Sequence, residues 1–336
     1  MNNELEQLSC CPICGSESNV LFANDLQDVT FRAVKGVWSF YLCTQCESGF
    51  VNPRLNENSI SKAYSNYYTH HDLEQDGLSF LGKIKKKLGD GYRNKVFGSS
   101  LAEAWPVGYY IISLFSMHKN TMDAGFRHLS KYQKGNLLDV GCGNGDFLSL
   151  AKSAGWNVLG LDFDPDAVEI SRKKGLNVKI GSVETLENKE RFDVITSNHV
   201  IEHVHDPVEF LEKCFELLNS DGYLWIDTPN IKSQGFNIYG NNWRGLEIPR
   251  HLSIFNEKSL CDLLKKVGFK KIEIMPYRPL CKWMFNASET IKNNSSMDEV
   301  NGMNFYVNKK MINKCEKIAS LHSEVRETIT LKAWKS

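Results

Sequence analysis

Three groups of residues in this chain have the types and spacing to do chemistry. The first is LLDVGCGNGDFL, Leu137 to Leu148. Leu137 to Gly141 read as a buried strand, a glycine-rich turn follows, and Asp146 to Ala151 restart as a helix. A strand feeding such a turn and helix cradles a nucleotide-like ligand at the carboxyl end of its sheet. Gly141, Gly143 and Gly145, with Cys142 between the first two, let the backbone approach that ligand. The third glycine comes one residue too early for the dinucleotide fingerprint. Asp139 would repel a pyrophosphate and suits a ligand carrying an ammonium group. Asp162, 21 residues after Gly141, ends the next apolar run, where a carboxylate can accept hydrogen bonds from a ribose diol.

The second group is Cys11-Pro-Ile-Cys14 and Cys43-Thr-Gln-Cys46, two knuckles with 28 residues between them. Together they offer four thiolates to one tetrahedral Zn²⁺ and leave no open position, so the metal is structural. Its removal is expected to unfold this module and not the rest. The third group is His199-Val-Ile-Glu202-His203 together with NNWRGLEIPRHLSIF, Asn241 to Phe255. Trp243 offers a flat apolar face for a sugar or ring. Arg244 and Arg250 can grip a carboxylate or phosphate bidentately. His251 suits a general base, with an ordinary pKa near ~6.5, and His203 is the second choice. Glu202 and His203 also fit a polar cap on the next helix. The H-x-x-E-H spacing belongs to a zinc-protease helix, but here it straddles the end of a core strand.

The glycine turn with Asp139 and Asp162 resembles motif I of class I S-adenosylmethionine (SAM) dependent methyltransferases. That resemblance implies Asp139 at the methionine ammonium, the glycine loop at the carboxylate and backbone, and Asp162 at the ribose. It also implies Phe163, Ser182 and Val183 at the adenine, with Asn198 completing the cofactor set. Phe192-Asp-Val, Glu202-His203-Val and Asp206-Pro207 resemble the ubiquinone-type O-methyltransferases. There an acidic residue three before the Glu joins the Glu-His pair at a metal, and His199 stands at that place here. Pro249 to Phe255 resembles the active-site loop of zinc-ribbon sugar C-methyltransferases, with Arg250 where those enzymes carry a glutamate. The combined pattern resembles bacterial methyltransferases of sugars and surface glycans.

These residues need a scaffold. The alternation of strands and helices predicts an α/β fold: a doubly wound, seven-stranded Rossmann-like sheet preceded by a zinc ribbon and a helical linker. The expected units are the ribbon at 1–52, a linker or lid at 53–130, and the methyltransferase domain at 131–336 with insertions at 229–255 and 276–323. Ribbon strands are expected at Val20 to Phe22, Phe31 to Val34 and Val37 to Leu42. Ile60 to Tyr68 reads as a helix, Thr69 to Gly77 and Asn293 to Asn304 as polar loops, and the helix after Trp105 continues to about Ser130. Thr228 to Asn242 reads as a long loop. Asn256 and Gly268 bound a helix, and Arg326 to Trp334 alternates as an antiparallel seventh strand. Phe80, Leu81, Ile84 and Leu88 share one face of a basic helix. It reads first as a solvated surface helix, and second as a peripheral contact with an anionic membrane through Phe80 to Leu88.

Lysines and arginines balance aspartates and glutamates, 40 against 40, so no global field argues for nucleic acid. No apolar run reaches the ~20 residues of a membrane span. Ten cysteines behind a polar N-terminus fit a reducing, cytoplasmic setting. The expectation is SAM-dependent O-methylation of a small-molecule sugar or glycan-type acceptor in polysaccharide biosynthesis. A sugar C-methyltransferase, an RNA methyltransferase and a SAM-binding interaction protein are the rivals. Oligomeric state stays open.

Overall fold

The computed structural model describes residues 4–64, 79–187, 189–293 and 307–336. The chain opens with β1 (Leu5–Glu6), β2 (Asn19–Leu26), β3 (Trp38–Cys43), β4 (Gly49–Val51) and β5 (Arg54–Leu55). Strands β2, β3 and β4 form an antiparallel meander, and Trp38, Phe40 and Val51 turn inward from it. No strand forms at Phe31 to Val34. The buried carboxylate of Asp28 accepts the N–H groups of Phe31, Ala33 and Val34. The chain winds around that acid instead of pairing.

A helical layer follows: α1 (Phe80–Phe97), α2 (Gly108–Ser113) and α3 (Ser116–Gly125). The Ser79 hydroxyl caps α1 by accepting from Gly82 N–H. The helix expected to reach Ser130 stops earlier, because Arg127 and His128 both adopt positive φ, near 51°. Ile60–Tyr64 form a single 3₁₀ turn. The rest of the helix expected to Tyr68, the loop at Thr69 to Gly77 and nearly all of the loop at Asn293 to Asn304 lie outside the described residues.

The large domain runs β6 (Asn136–Val140), α4 (Asp146–Ser153), β7 (Asn157–Asp162), α5 (Pro165–Lys173), β8 (Val178–Ile180), β9 (Phe192–Asn198), α6 (Pro207–Leu217) and β10 (Leu218–Pro229). It continues with α7 (Gln234–Tyr239), β11 (Ser253–Ile254), α8 (Glu257–Val267), β12 (Lys271–Ile274), α9 (Cys281–Lys292), α10 (Lys309–Leu321) and β13 (Thr328–Trp334). The seven-stranded sheet has the order β12-β13-β10-β9-β6-β7-β8. Strands β6 to β10 run parallel, and β13 is antiparallel to both neighbours. Asp164 and Asp206 cap helices whose first residue is a proline. Asn256 and Ser259 form a reciprocal capping box on α8. The loop expected at Thr228 to Asn242 is shorter than its composition suggests. Strand β10 persists to Pro229, and Ser233 caps α7 within it.

The small sheet reaches across the chain. Its order is β11-β4-β3-β2, so a strand beyond residue 250 completes a sheet begun before residue 30. Cys11, Cys43 and Phe50 share one apolar cluster with Phe255, Leu260 and Leu264. Trp38 and Phe40 share another with Trp243, Ile248 and Phe285. Among the described residues no helix is long and apolar enough to cross a membrane.

Candidate active site

The glycine loop leaves β6 and all three of its glycines have positive φ, 67°, 52° and 78°. A Cβ on Gly141 would lie 2.5 Å from the Val200 side chain, and one on Gly145 would lie 2.5 Å from Leu176. Those two are fixed by packing. A Cβ on Gly143 would meet nothing within 4 Å, so the loop is open on the side where a ligand's backbone would approach. Asp162, at the end of β7, accepts from Gly143 N–H at 2.7 Å and from Asp164 N–H at 3.0 Å. Burial pushes its carboxyl upward, and those backbone donors pull it back. Phe163 beside it is solvent-exposed, Val183 is buried, and Ser182 and Asn198 are half-buried. Apart from Asp139, the residues expected to cradle SAM follow the carboxyl ends of β6, β7, β8 and β9. Cys142 turns inward, its buried thiol against the Gly143 carbonyl.

Asp139 sits elsewhere than expected. Its side chain is fully buried and ion-paired with Arg127, whose guanidinium also donates to the Thr196 hydroxyl at 2.7 Å. The Arg127 guanidinium lies 3.8 Å from the Phe147 ring centroid. Asp139 meets Arg127 through Oδ1, and its buried Oδ2 has no partner among the described residues. A buried acid in a core strand needs a cation. Nothing in the order of residues says which, and the left-handed break at Arg127 is what aims this one.

The turn after β9 carries His199, Glu202 and His203. Val200 within it packs on Gly141, so this turn abuts the glycine loop. The His199 N–H donates to the Asp227 carbonyl at 2.8 Å, and its φ of 55° is uncommon for a non-glycine residue. His199 Nδ1 lies 3.1 Å from a Glu202 carboxylate oxygen, and the other oxygen accepts from the Thr228 hydroxyl at 2.9 Å. Glu202 is fully buried. Burial pushes its carboxyl up, but His199 and the two further histidines outweigh that and bring it to about 2. The His199 side chain is 42% exposed; desolvation of its ring pulls its pKa down, and the hydrogen bond and charge of Glu202, with the charge of Asp227, outweigh that and raise it. An exposed imidazole held through one nitrogen by a buried carboxylate is the arrangement of an oriented general base.

His251, the expected base, is only 4% exposed. Its Nδ1 donates to the Gly245 carbonyl at 2.7 Å, and burial lowers its pKa to about 4. His203 stands between, its ring 4.7 Å from His251 and its Nδ1 within 2.9 Å of the Tyr64 hydroxyl and 3.1 Å of the Arg250 carbonyl. Glu202, His203 and His251 place one ligating atom each within 4.8 Å of one another, a set with the donor types of a transition-metal site.

The rest of the Asn241 to Phe255 stretch is structural. Trp243 is buried, its indole N–H donating to Glu327 at 3.1 Å, so it presents no stacking face. Arg250 is fully buried: it donates to both oxygens of Asp28, at 2.7 and 3.0 Å, to the Ala63 carbonyl at 3.0 Å and to Glu247 at 3.2 Å. Arg244 pairs with the same Glu247. Arg250 is thus fully engaged, while Arg244 keeps only a buried Nε without a partner among the described residues. The polar side chains turned to a cleft lie instead around Tyr277, Arg278, Glu327 and Thr330. Arg278 pairs with Asp227, which also accepts from Thr330 at 3.0 Å. The Tyr277 hydroxyl and Arg278 Nε are buried with no partner among the described residues.

The four knuckle cysteines come together. The Cys11 and Cys46 sulfurs are 3.8 Å apart, and those of Cys14 and Cys43 are 3.5 Å apart. Zn–S bonds of about 2.3 Å in a tetrahedron need sulfur separations of about 3.8 Å, so this four-cysteine cluster fits a zinc ribbon.

Fold and cradle together define a class I SAM-dependent methyltransferase. The Methyltransferase domain family model matches residues 117–274. The ubiquinone biosynthesis O-methyltransferase of Cereibacter sphaeroides (strain ATCC 17025 / ATH 2.4.3) is 30% identical over 174 residues, 47% of this chain and 70% of its own length. That of Pelagibacter ubique is 31% identical over 158 residues, 43% of this chain and 66% of its own length. The match to the same enzyme of Actinobacillus pleuropneumoniae serotype 7 covers 45% of that relative. A SAM-dependent methyltransferase structure from Archaeoglobus fulgidus aligns over 68% of this chain and all of its own, at 21% identity and a TM-score of 0.44. The chain belongs to the methyltransferase-domain family of SAM-dependent methyltransferases.

Proposed function

We propose that this protein O-methylates a small-molecule hydroxyl, with His199 as the general base. When bound, SAM supplies a methyl group already activated on a sulfonium, which leaves the protein to position the acceptor and take one proton. In this reading His199 Nε2 accepts the hydroxyl proton, and the buried Glu202, fixed by Thr228, orients the ring and stabilises the imidazolium. Tyr277 and Arg278, the latter held by Asp227, would offer the acceptor its hydrogen bonds. The observation that carries the reading is the exposed His199–Glu202 pair seated against the glycine loop.

The relatives named for ubiquinone biosynthesis support transfer to oxygen, and with it an aromatic ring hydroxyl as acceptor. A sugar or glycan hydroxyl, which the zinc-ribbon resemblance implies, is the second acceptor class. Burial of Trp243 removes the stacking ring that would have favoured it. We further propose that the four-cysteine cluster holds a structural zinc ion.

The test uses SAM carrying a labelled methyl group, incubated with an extract of the source cells and partitioned into lipid, small-molecule, carbohydrate and RNA fractions. Base-labile label would indicate an ester and alkali-stable ether label is expected. His199→Gln should abolish incorporation while SAM affinity, read by calorimetry, stays within about twofold. Label retained in His199→Gln, or label confined to RNA, would overturn the proposal.

A further inference from the structure

We propose that the α1–α2 region is a docking surface for the headgroup layer of an anionic lipid bilayer. Val107, Tyr110, Ile111 and Leu114 follow the i, i+3, i+4, i+7 spacing of an apolar face across α2 and its two caps, and Phe115 prolongs the apolar run in extended backbone. In a soluble domain such a stripe turns to the core. Here all five are exposed, Leu114 at 80% and Tyr110 at 66%. The other face of α2 makes the core contacts. A Cβ on Gly108 would fall 1.9 Å from the Leu88 carbonyl oxygen, so α2 lies backbone to backbone on α1. The helix therefore has no freedom to roll its stripe inward. Isolated exposed apolar residues need no explanation, but a periodic set this large marks an interaction site.

Charge selects the occupant. Lys83, Lys85 and Lys86 are exposed on α1 and make no ion pair among the described residues. Lys87 stands 5.9 Å over the Trp105 ring, so the basic turn of α1 adjoins the start of the stripe. The sequence has no acidic residue from Phe80 to Gly89, and none between Glu103 and Asp123. Phe80 at the start of α1 is 78% exposed. Large aliphatic and aromatic side chains flanked by lysines match an interface that is apolar beneath and anionic at its surface. Helix α3, which follows the apolar run, reaches the residues of the site: Asn120 donates to the Tyr277 carbonyl at 2.8 Å.

The experiment is flotation of the full chain with phosphatidylcholine vesicles, with and without about a third phosphatidylglycerol. The protein should float with the anionic vesicles only, and less so as salt rises. Leu114→Glu with Phe115→Glu should cut the bound fraction about tenfold or more. Lys83→Gln with Lys85→Gln and Lys86→Gln should remove the salt-dependent part. Both sets lie on exposed positions, and unchanged melting and SAM affinity verify the fold. As a separate readout, Trp105→Phe should diminish the blue shift of tryptophan emission on vesicle addition. Failure of the wild-type chain to float overturns the proposal, as does undiminished binding by the double variant. A concentration-dependent dimer that the double variant abolishes, without vesicle binding, would give the face to a second copy and overturn it too.

Discussion

His199 and His251 show how burial divides two chemically identical side chains. His199 is half open and backed by a carboxylate; His251 is enclosed and neutral. If His199 is the base, His199→Gln should lower turnover by roughly 10²–10⁴, and Glu202→Gln should shift the acidic limb of the pH–rate profile downward, because the charge that raises the His199 pKa is gone. His251 has a different signature. Its folded pKa, about 4, lies below the ~6.5 of an unfolded histidine. Between those values the unfolded chain binds the extra proton, so folding stability falls as pH drops through that window, by roughly 3 kcal/mol in all. Urea denaturation at pH 7 and pH 4.5 should show this loss, and His251→Asn should reduce it. Arg127→Met should leave Asp139 buried without its cation and cost about 3–5 kcal/mol, measurable as a drop in melting temperature. The glycines and Asp162 are legible in the sequence because their constraint is local, a turn and the end of the next strand. The choice among three histidines is not, since it rests on exposure that only distant residues confer.

At the scale of elements, the Asn241 to Phe255 segment is where expectation and structure part most. Its tryptophan, arginines and histidine have the composition of a binding loop. They instead form a polar core: Asp28 and Glu247 neutralise Arg250, Glu247 also holds Arg244, and Glu327 takes the indole N–H. Burial pushes the Glu327 carboxyl up to about 7. Such a network is indistinguishable from an active site in sequence, because buried charge and catalytic charge use the same residue types. Its partner Asp28 lies 222 positions away, between two of the expected ribbon strands. Outside Thr228 to Asn242, the strand-helix alternation of the large domain is legible, since caps and apolar runs act within a few residues. Asp28→Ala should strip Arg250 of its bidentate partner and destabilise the protein by about 3–5 kcal/mol. Chemical denaturation measures that loss, and a cost below about 1 kcal/mol would mean that Glu247 alone suffices.

Across the whole molecule, the ribbon connects to the chemistry by backbone. Val51 N–H donates to the Leu252 carbonyl at 3.1 Å, and Leu252 N–H donates to the Glu202 carbonyl at 2.7 Å. Asn256 also reaches the Cys46 carbonyl at 2.7 Å. A metal at the knuckles would therefore support the turn that holds Glu202, and its removal should be felt beyond the ribbon. Chelation is expected to lower turnover and melting temperature together, whereas a ribbon acting as a separate module would lose its own signals and leave turnover intact.

The strand β11 that completes the ribbon sheet has a consequence for synthesis. At roughly 5–20 residues per second, a ribosome needs about 10–45 s to make the 222 residues that separate Asp28 from Arg250. For that interval the nascent ribbon has an open sheet edge and an acid without its arginine. The ribbon thus emerges well before it can be finished, and that exposure makes it a natural client for a chaperone that shields unpaired strand edges.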